Sequence, residues 1–324
     1  MFERYRTNRP SISQISVLIS ITEAKAVRAF PDSRASGGPV MKFHVRTMTA
    51  DDVAAGMHLK TTAGWNQTEA DWHRFLASHP TGSFVAEFAG EVVGTVTTIA
   101  YGTRLAWIGM MLVDPAHRRQ GIGESLMKAA LEDLEKRDIR AIGLDATPMG
   151  RPLYERLGFR ARSELNRWAW NRQASAIAPE PPSRTPGAID LKSLLDQDSE
   201  VFGADRSALI RSFVETRPER FVVSSLGASR PDYGLTRPGT VADHIGAWVA
   251  DEPTGAAAVL EALVGRSSAP RMIADVPSDH PFAGRLLHAS GFRIARDLTR
   301  MYRGPWETPP LAGDVCAILG PEFG

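Results

Sequence analysis

The sequence predicts an α/β protein of the α+β kind, a mixed and mostly antiparallel sheet with helices, built twice in tandem. Three observations predict it. Strand-like and helix-like segments alternate from Met41 onward, a Pro- and Ser-rich stretch divides the chain near its middle, and the segment beyond that stretch repeats the one before it.

Length and composition agree with two domains. A chain of 324 residues, 43% of them hydrophobic, is long enough for two ordinary cores. Its 38 basic and 37 acidic residues nearly balance, so bulk charge gives no support to a nucleic-acid or anionic-membrane partner. One cysteine, Cys316, excludes an intramolecular disulfide and fits a reducing, cytoplasmic compartment. The eight histidines show no HExxH or comparable spacing, so no metal is expected. No run approaches the roughly 18 to 20 apolar residues that span a bilayer.

Residues 1–40, acid-poor and rich in Arg and Ser, read as a flexible extension upstream of a start at Met41, with a targeting leader as the alternative. From Met41 the folded pattern begins. "MKFHVRTMTADDVAAGMHLKTTAG" reads as a strand and then a helix entered at Thr49, Asp51 and Asp52. "SFVAEFAGEVVGTVTTIAYG" gives two runs of β-formers around Ala89-Gly90, a hairpin signal. "RLAWIGMMLVDP" is apolar almost throughout and therefore a central strand. An amphipathic helix follows, with Ile122, Leu126, Met127, Leu131 and Leu134 on one face and Glu124 four residues before Lys128. "AIGLDATP" is another buried strand, "MGRPLYERLGF" a short helix closed by Gly158, and "FRARSELNRWAW" a closing strand pair. The expected organisation is an extension over 1–40, a first domain over 41–170, a linker over 171–187, a second domain over 188–305 and a tail over 306–324.

The second domain repeats the first. Leu153, Gly158, Phe159, Arg160, Leu165 and Arg167 align without a gap on Leu286, Gly291, Phe292, Arg293, Leu298 and Arg300. Upstream, "LDATP" resembles "IADVP" and "WIGMMLVDP" resembles "HIGAWVADEP".

The chemistry concentrates where the central strand ends, in "VDPAHRRQGIGES". A strand feeding a helix through glycines exposes the first N–H groups of that helix, here those of Ile122, Gly123, Glu124 and Ser125, and the helix dipole adds positive character. Gly121 and Gly123 allow close approach, and Arg118 and Arg119 supply charge, so the expected ligand is a phosphate or pyrophosphate. The loop is neither a Walker A motif nor the GxGxxG of dinucleotide folds.

Arg118-Arg119-Gln120-Gly121-Ile122-Gly123 matches Arg/Gln-x-x-Gly-x-Gly/Ala, the loop that takes the pyrophosphate of acetyl-CoA in the GNAT superfamily of N-acetyltransferases. With "MLVDPAH" before it and "DATPMGRPLYERLGF" after it, the segment from about Met41 to Trp170 resembles that family motif by motif. The resemblance implies acetyl-CoA as cosubstrate. It implies that the strand splays around Met111, Leu112 and Val113 to pair with the pantetheine arm and aim an N–H at the thioester oxygen. It makes Tyr154 the acid that protonates the departing thiolate, the alternative being a tyrosine that only packs under its helix. The second half resembles a GNAT-like domain that has lost the loop, carries acidic Asp251 and Glu252 in its place, and has Leu287 where the first half has Tyr154.

The acceptor side is less defined. Trp65 and Asn66 fall where the family's early helices line the acceptor, although Trp65 and Trp72, seven apart, equally fit a buried helix face. Glu87, Glu91 and Asp145 are conceivable bases, none distinguished from an ordinary strand-end charge. Arg237 in "DYGLTRPGT" either meets an acidic substrate or belongs to a Pro-Gly turn. The resulting expectation is a transfer of acetyl from acetyl-CoA to a primary amine of a small molecule by direct attack in a ternary complex. The chain would be a monomer with pseudo-dimeric domains, or a weak homodimer, with neither nucleic acid nor membrane as partner. The alternatives are a non-catalytic acyl-CoA sensor and an acyltransferase for a longer acyl-CoA.

Overall fold

In a computed structural model, residues 43–172, 191–224, 230–309 and 311–324 are described. The extension over 1–40 and almost all of the linker over 171–187 lie outside the described residues. The first half opens with β1 (His44–Thr47), α1 (Val53–Thr62) and α2 (Glu69–Ser78). Thr49 and Asp52 form a capping box ahead of α1, as Thr68 and Asp71 do at α2, each satisfying helix N–H groups that would otherwise lack partners. β2 (Phe84–Phe88) and β3 (Glu91–Tyr101) make the expected hairpin, with Ala89 at φ 52° and Gly90 at φ 86° turning the chain in the left-handed sense that matches strand twist. β4 (Leu105–Val113) is central and nearly wholly buried. α3 (Ile122–Lys136) follows, then β5 (Ala141–Ala146), α4 (Arg151–Arg156) and β6 (Arg160–Asn171). α3 packs Ile122, Leu126, Met127, Ala130, Leu131 and Leu134 against the sheet. Each large apolar side chain there contributes about 1.5–3 kcal/mol.

The second half runs α5 (Leu191–Phe202), α6 (Ser207–Thr216), β7 (Phe221–Ser224), β8 (Asp232–Arg237), β9 (Asp243–Val249), α7 (Pro253–Arg266), β10 (Arg271–Pro277), α8 (Ala283–Ala289), β11 (Arg293–Arg303) and β12 (Val315–Ala317). All described residues belong to one compact unit, Met41–Gly324. Among the described residues no helix is long and apolar enough to cross a membrane.

The sheet is continuous across both halves, in the order β1-β2-β3-β4-β5-β11-β6-β10-β9-β8-β7, with β12 on β9. The halves have therefore exchanged their last strands. β11 lies beside β5 of the first half and β6 lies beside β10 of the second, both antiparallel. The segment expected as a closing strand pair, "FRARSELNRWAW", is a single strand, because its pairing partners come from the other half rather than from a turn within it.

The exchange follows the internal repeat. Leu165 faces Leu298, its own counterpart, and the neighbouring pairs Asn166–Asp297 and Glu164–Thr299 map onto each other about that point. A pseudo-twofold axis thus passes between β6 and β11, as in an isologous dimer interface. Two buried ion pairs repeat the symmetry. Arg167 grips Asp275 through Nε–Oδ1 and Nη2–Oδ2 at 2.8 and 2.7 Å, and Arg300 grips Asp145 in the same manner at 2.9 and 2.8 Å.

The segment set down as a tail from 306 is built in from Leu311 onward. β12 pairs with β9, and Phe323 is buried against Phe75 and Phe213. Tyr101 Oη donates to Phe323 O at 2.6 Å and Trp107 Nε1 to Pro321 O at 2.8 Å, so first-half side chains clamp the last residues of the chain.

Candidate active site

The site begins with a fault in β4. Between β3 and β4 the register jumps from Thr95–Leu112 to Thr97–Gly109, so Met110 and Met111 together oppose Val96. This is a β-bulge, and it holds Met110 at φ 48°, unusual for a residue other than glycine. The buried Thr95 hydroxyl donates to Met110 O at 2.8 Å and fixes the distortion. On the other edge, the parallel pairing of β4 with β5 ends at Trp107–Gly143. Beyond that point the strands part, four residues earlier than Met111, where the family resemblance placed the splay. A cleft of about 990 Å³ opens between them and is lined by both strands, by the α3 and α4 ends and by residues of the second half.

One side of the cleft is the expected anion site. Met111, Leu112, Val113, Arg118, Arg119, Gly121, Ile122, Gly123 and Glu124 all line it, whereas Gln120 and Ser125 do not. Gly121 caps α3 in the left-handed conformation at φ 83°. Ser125 N is already bonded to Gly121 O, leaving the preceding amides of the first turn for a ligand. A Cβ on Gly123 would stand 2.8 Å from the Met111 methyl, so glycine there keeps the approach to the helix end open. Arg118 Nε donates to Val113 O at 3.1 Å, and Glu124 pairs with Lys128 at 2.7 Å. A cradle emptied of side chains, beside two arginines and a helix end, fits the pyrophosphate of coenzyme A, and the splayed strand fits an extended arm running from it.

Tyr154 reaches the same cleft from α4, packed edge-on against Phe159. Burial pushes its phenol up to about 12, so it carries its proton throughout the neutral range.

The opposite side of the cleft is made by residues from distant parts of the chain. Trp65, Asn66 and Gln67 line it from the first half. Trp65 sits before α2, half-buried, while Trp72 is fully buried inside α2, so the two do not share one helix face. The Asn66 amide is committed elsewhere: its Oδ1 accepts from Val241 N and Ala242 N at 3.0 and 2.9 Å, and its Nδ2 donates to Ala242 O at 2.9 Å. It ties the loop before α2 to the second half. From the second half and the exchanged strands come Arg167, Arg296, Asp297, Leu298, Pro321 and Glu322.

Sequence reading missed Glu322 and Arg296. Glu322 is buried, and its backbone lies so close to β4 that a Cβ on Gly109 would approach Glu322 O at 2.9 Å. Its Oε1 accepts from Arg237 Nη2 at 2.7 Å, and its Oε2 has no partner among the described residues. Burial pushes this carboxyl up, but the charges of Arg237 and His244 outweigh it and hold it below the usual Glu value. Arg237 is thus a buried internal partner, also bonded to Leu319 O and His244 Nδ1. The three acids weighed from sequence fare otherwise. Asp145 is gripped by Arg300, Glu87 accepts from Arg46 Nε at 2.8 Å, and neither Glu87 nor Glu91 lines the cleft. No local motif marks Glu322, because only the fold of the last residues carries it to β4.

The second half keeps the scaffold and closes the opening. Ala247, the counterpart of Met110, also has a positive φ of 42°, and the β8–β9 register jumps there too. β9 and β10 pair parallel only as far as Ala274–Ile245. Into the gap goes β12, with Val315 opposite Val249 and Ile318 N bonded to Asp275 O at 3.0 Å. The chain's own strand lies where the first half offers an arm-shaped groove. At the start of α7 the open side of Gly255 is filled by the Asp232 carboxylate, itself pushed up to about 6 by burial and by Asp251.

Comparisons with known proteins follow the same division. Residues 54–159 match the family model described as "Acetyltransferase (GNAT) family", and residues 194–315 match "Acetyltransferase (GNAT) domain". The uncharacterized N-acetyltransferase YitH of Bacillus subtilis strain 168 is 24% identical over 243 residues, 75% of this chain and 85% of that protein. A Pyrococcus horikoshii crystal structure assigned as an acetyltransferase superposes with a TM-score of 0.71 at 21% identity, covering 91% of this chain and all of that one. A GCN5-related N-acetyltransferase from Sphaerobacter thermophilus does so with a TM-score of 0.61 at 15% identity, over 82% and 98%. Both structural likenesses speak to the fold.

Proposed function

The chain belongs to the GNAT acetyltransferases as a tandem of two such domains, and from that premise we propose that it moves acetyl from acetyl-CoA to the primary amine of a small molecule within a ternary complex. The observation that carries this reading is the single cleft that joins an anion-binding helix end, a bulged central strand and a protonated tyrosine. Acetyl-CoA supplies an activated acyl thioester. Arg118, Arg119 and the first amides of α3 hold its pyrophosphate, while Met111 to Val113, freed from β5, offer backbone groups to its arm.

The acceptor enters from the side of Trp65 and Glu322. At neutral pH only about one lysine-like amine in two thousand is uncharged. An ionised Glu322 draws the ammonium form in, and its unpartnered Oε2 is the acceptor for the proton that must leave before attack. The amine nitrogen then bonds to the acyl carbon as the C–S bond breaks; Tyr154 gives its proton to sulfur and regains one from the nitrogen as the amide forms, while Glu322 releases its proton to solvent. No acyl-enzyme is needed, since buried Cys316 lies in the core of the second half and does not line the cleft. That lone cysteine, kept as a thiol, supports a cytoplasmic setting.

The test is thiol release from acetyl-CoA against a panel of amines, with binding measured separately by calorimetry. One acetyl-CoA per chain is expected, because β12 fills the second groove; a stoichiometry of two would count against that assignment. Tyr154→Phe should lower kcat about 100-fold with little change in acetyl-CoA affinity. Gly121→Glu both places a carboxylate beside the pyrophosphate and forces a side chain onto the left-handed φ of 83°, and on both counts should weaken acetyl-CoA binding at least about tenfold. Unchanged turnover in the first variant, or unchanged affinity in the second, would remove those roles.

A further inference from the structure

We propose that the acceptor is an amine that also bears a carboxylate, and that Arg296 is the residue that binds that carboxylate. The inference rests on the acetyl-transfer reading above and names the substrate class of the same cleft.

Arg296 lines the acceptor side, immediately after a bulge in β11 at which the register against β6 skips Ala295. Bulges re-aim side chains. Its Nε is buried without a partner, and among the described residues the guanidinium makes no hydrogen bond or ion pair. Burial, with the neighbouring Arg167 charge, pushes it down to about 10, against the pull of Asp275 and Glu322. Every other charged group at this end is engaged: Arg167 with Asp275, Asp145 with Arg300, Glu322 Oε1 with Arg237, and Asp297 with Asn166 Nδ2 at 2.8 Å. Arg296 is left as the guanidinium at this end with no hydrogen-bonded partner, while Asp297, whose partner is the neutral Asn166 amide, keeps its negative charge at the next position.

The architecture does not require that charge. By the pseudo-twofold relation, the counterpart of Arg296 is Ser163, which opposes Arg300 just as Arg296 opposes Arg167. The strand exchange therefore tolerates a small neutral residue at this position, and the arginine breaks the symmetry only in the half whose groove is open. A guanidinium presents a planar fork suited to two parallel hydrogen bonds with a carboxylate, one of them from the partnerless Nε. With the Glu322 carboxylate in the same cleft, the site carries one pole for each end of a zwitterion.

The test uses the full chain with acetyl-CoA and matched acceptors: L-amino acids and β-alanine against the amines or carboxamides that differ only in lacking the carboxylate. The carboxylate-bearing acceptors are expected to lead by at least about tenfold in kcat/KM. Arg296→Met should lower kcat/KM for the preferred acceptor about 100-fold, chiefly through KM, and abolish the preference, while Arg296→Lys should restore part of it. Calorimetry with acetyl-CoA separates the two readings. If the wild-type chain does not bind acetyl-CoA, the acetyl-transfer reading itself fails. If it binds acetyl-CoA and the matched amines react as well without the carboxylate, or none of either set reacts, or Arg296→Met slows both sets equally, the carboxylate site is overturned.

Discussion

Glu322→Gln is expected to lower kcat/KM for the acceptor about 100-fold, the size of effect that follows from removing one partner of a buried charge interaction. The change is nearly isosteric, so the amide oxygen can still accept from Arg237 Nη2, and the clamp on the last residues by Tyr101 and Trp107 does not involve the side chain. What is lost is the negative charge beside β4 and the acceptor for the amine proton. Acetyl-CoA affinity should therefore hold while the acceptor term collapses, although the melting temperature should fall, because the amide leaves the buried Arg237 guanidinium without the Glu322 carboxylate. The pH of the comparison is not critical near neutrality. Arg237 keeps the folded carboxyl below its ordinary value, so the stabilisation from that pair is complete above the ordinary Glu range and is lost only as pH falls through the lower folded value. If kcat/KM for the best acceptor is unchanged in E322Q, Glu322 has no part in the reaction. If acetyl-CoA affinity falls together with turnover, its part is structural.

The halves of the cleft were unequally legible for a physical reason. The coenzyme side is local: "RRQGIGES" turns a strand into a helix within a few residues, and its function follows from where glycines and arginines sit along that turn. The hairpin at Ala89-Gly90, the cap at Gly158 and the amphipathic face of α3 are local in the same sense. The acceptor side is assembled from contacts remote in sequence. Glu322 stands beside Gly109 only because the last residues fold back over Trp107, and Arg296 faces the cleft only because β11 crosses into the first half. The repeat that relates Arg167 to Arg300 was visible as matched residues, yet nothing in a one-dimensional match says whether like strands stay home or change places. The acidic Asp251 and Glu252 raised the expectation of a lost phosphate site; β12 beside β9 and the Asp232 carboxylate beside Gly255 are contacts that no local motif announced.

The exchange itself carries the second large effect. Arg300→Met should destabilise the chain by about 3–5 kcal/mol, because it leaves Asp145 buried and uncompensated in the middle of the sheet. In a unit of this size each kcal/mol corresponds to about 2–4 °C, so the melting temperature should drop by roughly 10 °C. Removing the stranded acid as well should recover most of the loss: in the double variant Arg300→Met/Asp145→Leu two charges are replaced by apolar volume, and such replacements of buried ion pairs are often neutral. The symmetry sharpens the test. Arg167 and Asp275 occupy the corresponding positions across the pseudo-twofold axis, so Asp275→Leu, which strands Arg167, should show a loss of similar size. Asp275 also lies 3.2 Å from His244 Nε2, and that added contact should make its loss the larger of the two. Losses under about 1 kcal/mol in both single variants would mean that register between β5, β11, β6 and β10 is set by backbone pairing and the Leu165–Leu298 contact alone. A large loss that the double variant fails to recover would point to the Arg300 guanidinium over the Trp107 ring, 4.6 Å from its centroid, rather than to the pairing with Asp145, as the source of the stability.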